Sequence, residues 1–177
     1  MALSVHLIGG GGLARDMMAC FGTQVVFEGI WDDGLTPGSL VNGIPVKGNL
    51  EALESGKEQF NIIVAIGRTS LRRSIFERLK AAGHRFPVLV HERAYLGDTE
   101  RIQLEEGVVI FPEAVLTTDI QIGANTLIHV GCSLHHDFEA GRHCVIMPGS
   151  RFTGGAKLGD EVFIPPGTVV AGAERIS

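Results

Sequence analysis

The chain has 177 residues, 45% of them apolar, with a formal net charge of −5 and a mean hydropathy of +0.22. That length holds one domain or two small ones. The acidic balance leaves no basic stripe of the kind that binds nucleic acid, and no apolar run approaches the ~20 residues that cross a bilayer.

In chain order, Met1-Ala2-Leu3-Ser4 runs directly into a strand pattern, without the basic head and cleavage site of a signal peptide, so a cytoplasmic protein is expected. Val5–Ile8 reads as a short apolar strand, Gly9–Gly12 as a glycine turn, and Leu13–Phe21 as a helix stopped by Gly22. Gln24–Ile30 is a second strand, ending in the turn Trp31-Asp32-Asp33-Gly34. Residues 35–49 are a loop with one short strand at Pro45–Lys47, followed by a short helix at Leu50–Glu54. Asn61–Ile66 is a third strand, Thr69–Ala82 a helix closed by Gly83, and Phe86–Val90 a fourth strand. Strands alternating with helices through short connections predict a small Rossmann-like parallel sheet with right-handed crossovers.

From Leu104 onward the pattern changes. Every sixth residue is apolar: Leu104, Ile110, Leu116, Ile122, Ile128, Leu134, Ala140, Ile146, Phe152, Leu158, Ile164, Val170 and Ile176. The fourth residue after each is mostly small or apolar, from Val108 through Cys132 and Cys144 to Thr168. A period of six fits neither an α-helix nor a hairpin meander. It fits a parallel β-helix, in which each hexad forms one flat side of a coil. The fold class is therefore α/β plus all-β, with residues 1–90 as a Rossmann-like domain and 91–177 as the β-helix, and with 91–103 leading into the repeat. Many of the 24 glycines, Gly123, Gly141 and Gly159 among them, fall at hexad corners, where a tight bend favours a residue without Cβ. Cys20, Cys132 and Cys144 show no CxxC spacing and read as small buried thiols in a reducing compartment.

Candidate sites follow from this frame. Gly9, Gly10, Gly11 and Gly12 lie between a strand and a helix, where backbone amides can hold a phosphate. The alternative is a tight strand-to-helix turn with no ligand. Asp32 and Asp33, about twenty residues on, could bond a ribose or base, or only make the turn. Gly67 and Arg68 close the third strand at the edge where open parallel sheets take ligands, with Arg68 an anion contact or a solvated side chain. His129, His135 and His136 lie outside the two inward rows, so all three are expected on the prism surface. With His143 they offer metal ligands, but residues six apart occupy different sides of a coil, so no metal site is expected. Acid–base catalysis by one histidine is better supported.

The strand–glycine turn–helix at Val5–Phe21, the Trp31-Asp32-Asp33 turn, Val64-Ala65-Ile66-Gly67 with Arg73 beyond it, and Leu134-His135-His136-Asp137-Phe138 follow one another in a recognisable order. In this, nearly the whole chain resembles the sialic acid O-acetyltransferase and nucleotide-aminosugar N-acetyltransferase (NeuD/PglD-like) family. The resemblance implies a left-handed β-helix and a homotrimer with sites between subunits. It also implies acetyl-CoA as cosubstrate with no metal, and a sugar or nucleotide-sugar acceptor acylated on N or O in bacterial glycan biosynthesis. His136 would be the general base, with His135, His129 and Asp137 in support. Gly154, Gly155 and Ala156 would line the path of the pantetheine arm, and the Gly9–Gly12 turn with Asp32, Asp33, Gly67 and Arg68 would hold the nucleotide.

The chain differs from the family pattern at Leu13, where a histidine is usual, and at His135 and His129, where an acid and an asparagine are usual. It also stops at Ser177, a coil or more short of the usual end. Two other readings remain open: a non-catalytic nucleotide-sugar-binding protein, and an acyltransferase with a non-sugar acceptor. Asp137 is expected to alternate to the side away from His136 and to orient it poorly. His135 is expected to face a corner or stack beside the base. Val109, Val115, Leu127, Val130, Val145 and Met147 are expected to stay wet in a monomer and so to demand a partner.

Overall fold

The computed structural model describes residues 2–177. Its contacts group into two compact units: one runs up to Gly67 and adds Ser74–Pro87, and the other joins Arg68–Arg73 to Val88–Ser177. Among the described residues no helix is long and apolar enough to cross a membrane.

The first unit is built on β1 (Leu3–Ile8), α1 (Gly12–Phe21), β2 (Val25–Trp31), β3 (Leu40–Val41), β4 (Ile44–Gly48), α2 (Leu50–Ser55) and β5 (Ile62–Val64). The sheet order is β3-β4-β2-β1-β5, and β4, β2, β1 and β5 are parallel. α1 buries Ala14, Met17 and Phe21, the stripe that helical spacing presents to a sheet. α2 is capped by Asn49, whose Oδ1 accepts from the Ala52 amide at 2.9 Å.

Two expectations are corrected here. The single strand at Pro45–Lys47 is one arm of an antiparallel hairpin, β3–β4. Its turn is Asn42-Gly43, both with positive φ, the pair that a two-residue hairpin favours. The strand expected at Phe86–Val90 is not a member of this sheet. Leu89–Val90 instead pairs parallel with Val109–Ile110 in the second unit.

Register slips twice inside the first sheet. Val5 pairs with Phe27 and His6 with Gly29, leaving Glu28 as an extra residue in β2. Ile30 pairs with Val46 and Trp31 with Gly48, leaving Lys47 as an extra residue in β4. Both are β-bulges, and each re-aims the side chains around it.

The second unit is a three-sided parallel β-helix with five strands on each face. From Val109 on, each residue pairs with the one eighteen later, as Val115 does with Ser133 and Gln121 with Glu139. Both inward rows pack as the period predicts: Ile110, Leu116, Ile128, Leu134, Ile146 and Phe152 from one, and Val108, Ala114, Cys132, Phe138, Cys144 and Ala156 from the other, are fully buried. Burial raises the Cys144 thiol to about 11 and raises that of Cys132, which keeps both protonated and inert.

The corners are made chiefly by residues in the left-handed region. Glu113, Asp119, Asn125, Asp137, His143 and Glu161 adopt it alongside Gly131, Gly149, Gly155 and Gly167. Gly123, Gly141 and Gly159 are not among them. A Cβ on Gly123 would stand 2.6 Å from the Gly141 carbonyl carbon, and one on Gly141 would stand 2.7 Å from that of Gly159. Close stacking of backbone on backbone, rather than a special φ, excludes a side chain there.

Residues 91–103 are already part of the prism. Tyr95–Leu96 pairs with Val115–Leu116, twenty residues on, and Ile102–Leu104 pairs with Ile120–Ile122, eighteen on. The two additional residues fall in the corner that holds a 3₁₀ turn, Thr99–Arg101.

α3 (Thr69–Ala81) gives its first turn to this unit. Arg72 is fully buried there and donates from Nε to the Asn125 carbonyl at 2.6 Å, while Asn125 Nδ2 donates to the Arg72 carbonyl. Asn125 Nδ2 also lies 3.1 Å from His143 Nδ1. Desolvation lowers the Arg72 guanidinium to about 9. Arg73 pairs with Glu161 at 2.6 Å, on the same column of corners.

The outward apolar residues divide. Val109, Leu127 and Val145 are fully buried within the chain, contrary to the expectation of a wet face, while Val115, Val130 and Met147 are half-buried.

Candidate active site

The site with the clearest chemistry is a corner of the β-helix. The strand Ser133–Leu134 ends in His135-His136-Asp137 before Phe138 turns inward. Because Asp137 has φ +61°, the strand alternation that would separate neighbouring side chains no longer applies. Its Oδ2 lies 2.8 Å from His136 Nδ1. Asp137 is therefore placed to orient His136, which corrects the expectation that it points away. An ionised carboxylate only accepts, so Nδ1 carries the proton and Nε2 presents a lone pair. A histidine held in this tautomer by a carboxylate can accept a proton at Nε2.

The imidazole lies against the next coil. A Cβ on Gly154 would be 2.2 Å from His136 Nε2, and the Gly155 amide donates to the His136 carbonyl at 2.8 Å. Gly154 thus forms the floor beneath the ring, with Gly155 bonded to the same residue, while Ala156 is buried in the core of the prism. Asp119 stands one coil before Asp137 in the same corner column. Asp119 is paired to Arg101 of the 3₁₀ turn, and the hydrogen bond from Arg101 holds its carboxyl below the usual range. From this corner an open groove of about 580 Å³ runs along the face carrying Gln103, Gln121, Glu139 and Lys157. Arg101 and Asp119 were missed in the sequence. The signal was available, since Asp119, Asp137 and Gly155 are spaced by one coil of eighteen.

The other two histidines behave differently. His129 is buried, with its ring stacked on Phe111 at 4.3 Å and Nδ1 accepting from the Val130 amide at 2.8 Å. It is packed rather than displayed, against expectation. His135 is exposed, neither turned inward nor stacked on the base. Among the described residues no three histidine, cysteine or acidic side chains are grouped to hold a metal ion.

In the first unit the glycine turn and the acids meet. Asp32 Oδ2 accepts from the Gly10 amide and Oδ1 from the Gly34 amide, both at 2.8 Å. Asp33 Oδ1 accepts from the Leu50 amide at the start of α2. Gly9 has φ +92°, and a Cβ on Gly10 would collide with Leu35 Cδ1. Gly11 caps α1 without any side-chain bond, and a Cβ there meets nothing within 4 Å. The turn is thus shaped by Gly9, Gly10 and Asp32, and open at Gly11 and Gly12. Gly67 also has open space where a Cβ would stand, and Arg68 is exposed.

Residues 4–79 match the family model described as the PglD N-terminal domain. A mutant of perosamine N-acetyltransferase from Caulobacter crescentus, crystallised with CoA and GDP-perosamine, superposes with a TM-score of 0.81 at 26% identity, over 98% of this chain and 88% of that one. The acetyltransferase domain of PglB from Neisseria gonorrhoeae FA1090 gives 0.69 at 26% identity, covering 96% of each chain. WeeI from Acinetobacter baumannii AYE gives 0.77 at 20%, a likeness of fold, over 96% of this chain and 89% of its own.

A PglD-type N-terminal domain followed by a left-handed hexapeptide-repeat β-helix is a sugar-acyltransferase architecture. Residues 4–79 thus carry the PglD N-terminal domain, and over nearly its whole length the chain is similar in structure to sugar acetyltransferases.

Proposed function

We propose that the protein transfers the acetyl group of acetyl-CoA to an amino group on a nucleotide-linked sugar, with His136 as general base. The observation that carries this reading is the His136–Asp137 pair, which leaves Nε2 as a proton acceptor on the corner floored by Gly154. Nε2 takes a proton from the sugar amine as its nitrogen attacks the thioester carbonyl. The C–N bond forms, the C–S bond breaks, and the departing thiolate takes up the proton. The perosamine N-acetyltransferase that this chain resembles is itself bound to CoA and a nucleotide sugar, which supports both substrates. Positioning two substrates supplies much of the acceleration, and a general base adds roughly 10²–10⁴-fold.

In this reading residues 1–90 hold the nucleotide sugar and 91–177 carry out transfer. Gly11 and Gly12, at the open start of α1, face a phosphate; Asp32 and Asp33 shape their turn; Gly67 and Arg68 add a contact. Gly154, Gly155 and Ala156 border the pantetheine arm. His135 and His129 act in support, His129 through its packing on Phe111. The working form is a homotrimer. Tyr95 and Val169, 62% and 66% exposed on one face of the prism, supply the apolar surface that asks for a partner.

The test is acetyl transfer from acetyl-CoA to GDP- and UDP-linked 4-aminosugars. His136→Ala should lose at least ~10²-fold in kcat while keeping its fold, and His135→Ala should lose less. Full turnover by His136→Ala with every acceptor the wild type accepts would refute the assignment and favour a nucleotide-sugar-binding protein.

A further inference from the structure

We propose that the cleft on the first sheet between Trp31 and Phe60 binds a small zwitterion with an apolar body, of α-amino-acid type, at a site separate from acetyl transfer. The cleft holds about 350 Å³, within the range of small-ligand pockets, and is lined by His6, Glu28, Trp31, Lys47, Glu58 and Phe60.

Its construction is specific. Glu28 and Lys47 are the two extra residues of the bulges in β2 and β4. Under strict alternation Glu28 and Trp31, three apart, would face opposite sides of the sheet. The bulge at Glu28 brings both into one cleft. Gly29 is part of the same arrangement: a Cβ there would stand 2.5 Å from Lys47 Cγ and 3.0 Å from His6 Nδ1. The missing side chain is what lets the lysine stem and the imidazole sit where they do.

At the floor His6 is buried and lies on Phe60 at 4.2 Å between ring centroids. Its Nδ1 accepts from Trp31 Nε1 at 3.0 Å, so Nε2 carries the hydrogen. That hydrogen is directed toward Glu28, whose Oε2 is 3.7 Å away, too far for a good bond. Among the described residues the side chains of Lys47 and Glu58 make no hydrogen bond or ion pair.

The cleft therefore presents an unpaired ammonium and two carboxylates around two aromatic faces. A plain anion would meet Glu28 and Glu58, and a plain cation would meet Lys47. A molecule with an ammonium, a carboxylate and an apolar side chain satisfies all three features. Opposite charges in a semi-enclosed cleft are the usual means of orienting such a ligand.

Trp31 is the only tryptophan in the chain, so its emission reports directly on this cleft. The experiment titrates the intact protein with L-leucine, with 3-methylbutylamine, which lacks the carboxylate, and with 4-methylpentanoate, which lacks the ammonium. A saturable change in Trp31 emission is expected for L-leucine, with each of the other two at least about tenfold weaker. Lys47→Met should remove the preference for L-leucine over the amine, and Glu58→Gln should reduce its preference over the acid. Both positions are exposed, so both variants should fold, as circular dichroism will show. No saturable change with L-leucine up to about 10 mM, equal affinity for the three probes, or unchanged affinity in both variants would overturn the proposal.

Discussion

The imidazole of His136 occupies the space where a side chain on Gly154 would be: a Cβ built on that glycine comes within 2.1 Å of the ring's Cε1. The two residues are one coil apart in the same corner, so the base and the floor beneath it cannot vary independently.

Gly154→Ala should therefore displace the ring without unfolding the prism. Gly154 has φ outside the left-handed region and is not fully buried, so the added methyl acts through His136. Acetyl transfer is expected to fall by about 10²-fold, near the loss for His136→Ala, with little change in melting temperature. Steady-state kinetics beside a thermal melt will read both; unaltered kcat would mean the ring has another productive place.

Asp137→Asn keeps the shape of the corner and removes the charge that fixes the tautomer. An amide can offer N–H as readily as C=O to Nδ1, so Nε2 is no longer held as the acceptor. The loss expected is about 10–100-fold in kcat, less than in a buried triad, because both side chains are some two-thirds exposed. Asp137→Ala should be no better, and a rise in KM alone would assign Asp137 to binding instead.

Much of the β-helix could be read from the chain because one inward residue per hexad survives any detail of the turns. Leu116, Leu134 and Phe152 are buried for that reason alone. What could not be read depends on local exceptions to a period. Two extra residues between Leu96 and Ile102 hide the first coil and bring Arg101 to Asp119. A left-handed Asp137 turns its carboxylate back to the histidine before it. His129 shows that lying outside an inward row does not mean lying in water, since Phe111 packs on it. The bulges at Glu28 and Lys47 are equally silent in sequence, because an extra residue in a strand is defined only by its neighbour's register.

The stacked glycines make a stability prediction. Gly141→Ala would place a methyl 2.7 Å from the Gly159 carbonyl carbon and 2.4 Å from Asp160 Oδ1. Backbone must move on one side or the other, at a cost of about 1–3 kcal/mol. Gly131→Ala, where no atom lies within 4 Å, should cost less and act only through its positive φ of 67°. Urea midpoints of the two variants should rank in that order.

The first unit should weaken in mild acid. Burial lowers the pKa of His6 below 6.5, and burial does the same to His84. Between the lowered folded values and the ordinary unfolded one, the unfolded chain binds more protons, so stability rises with pH there. It is complete above about 6.5 and is lost as pH falls through that value toward the folded ones. Urea midpoints at pH 7.5 and 5 should differ in that direction, and His6→Gln should narrow the difference. A midpoint that rises on acidification would contradict the burial argument.

The β-helix does not own a continuous stretch of chain. Its contacts include Arg68–Arg73, and the chain then runs through Ser74–Pro87 before it rejoins the prism at Val88. A fragment cut at the obvious seam, residues 88–177, would keep every hexad and lose six residues of its own packing. The Asn125 carbonyl would give up its buried guanidinium, and Glu161 its arginine. Order in the corner column of Asn125, His143 and Glu161 is thus supplied by a segment translated before the first coil exists. The earlier residues wait, already made, for a surface that the later ones have yet to build.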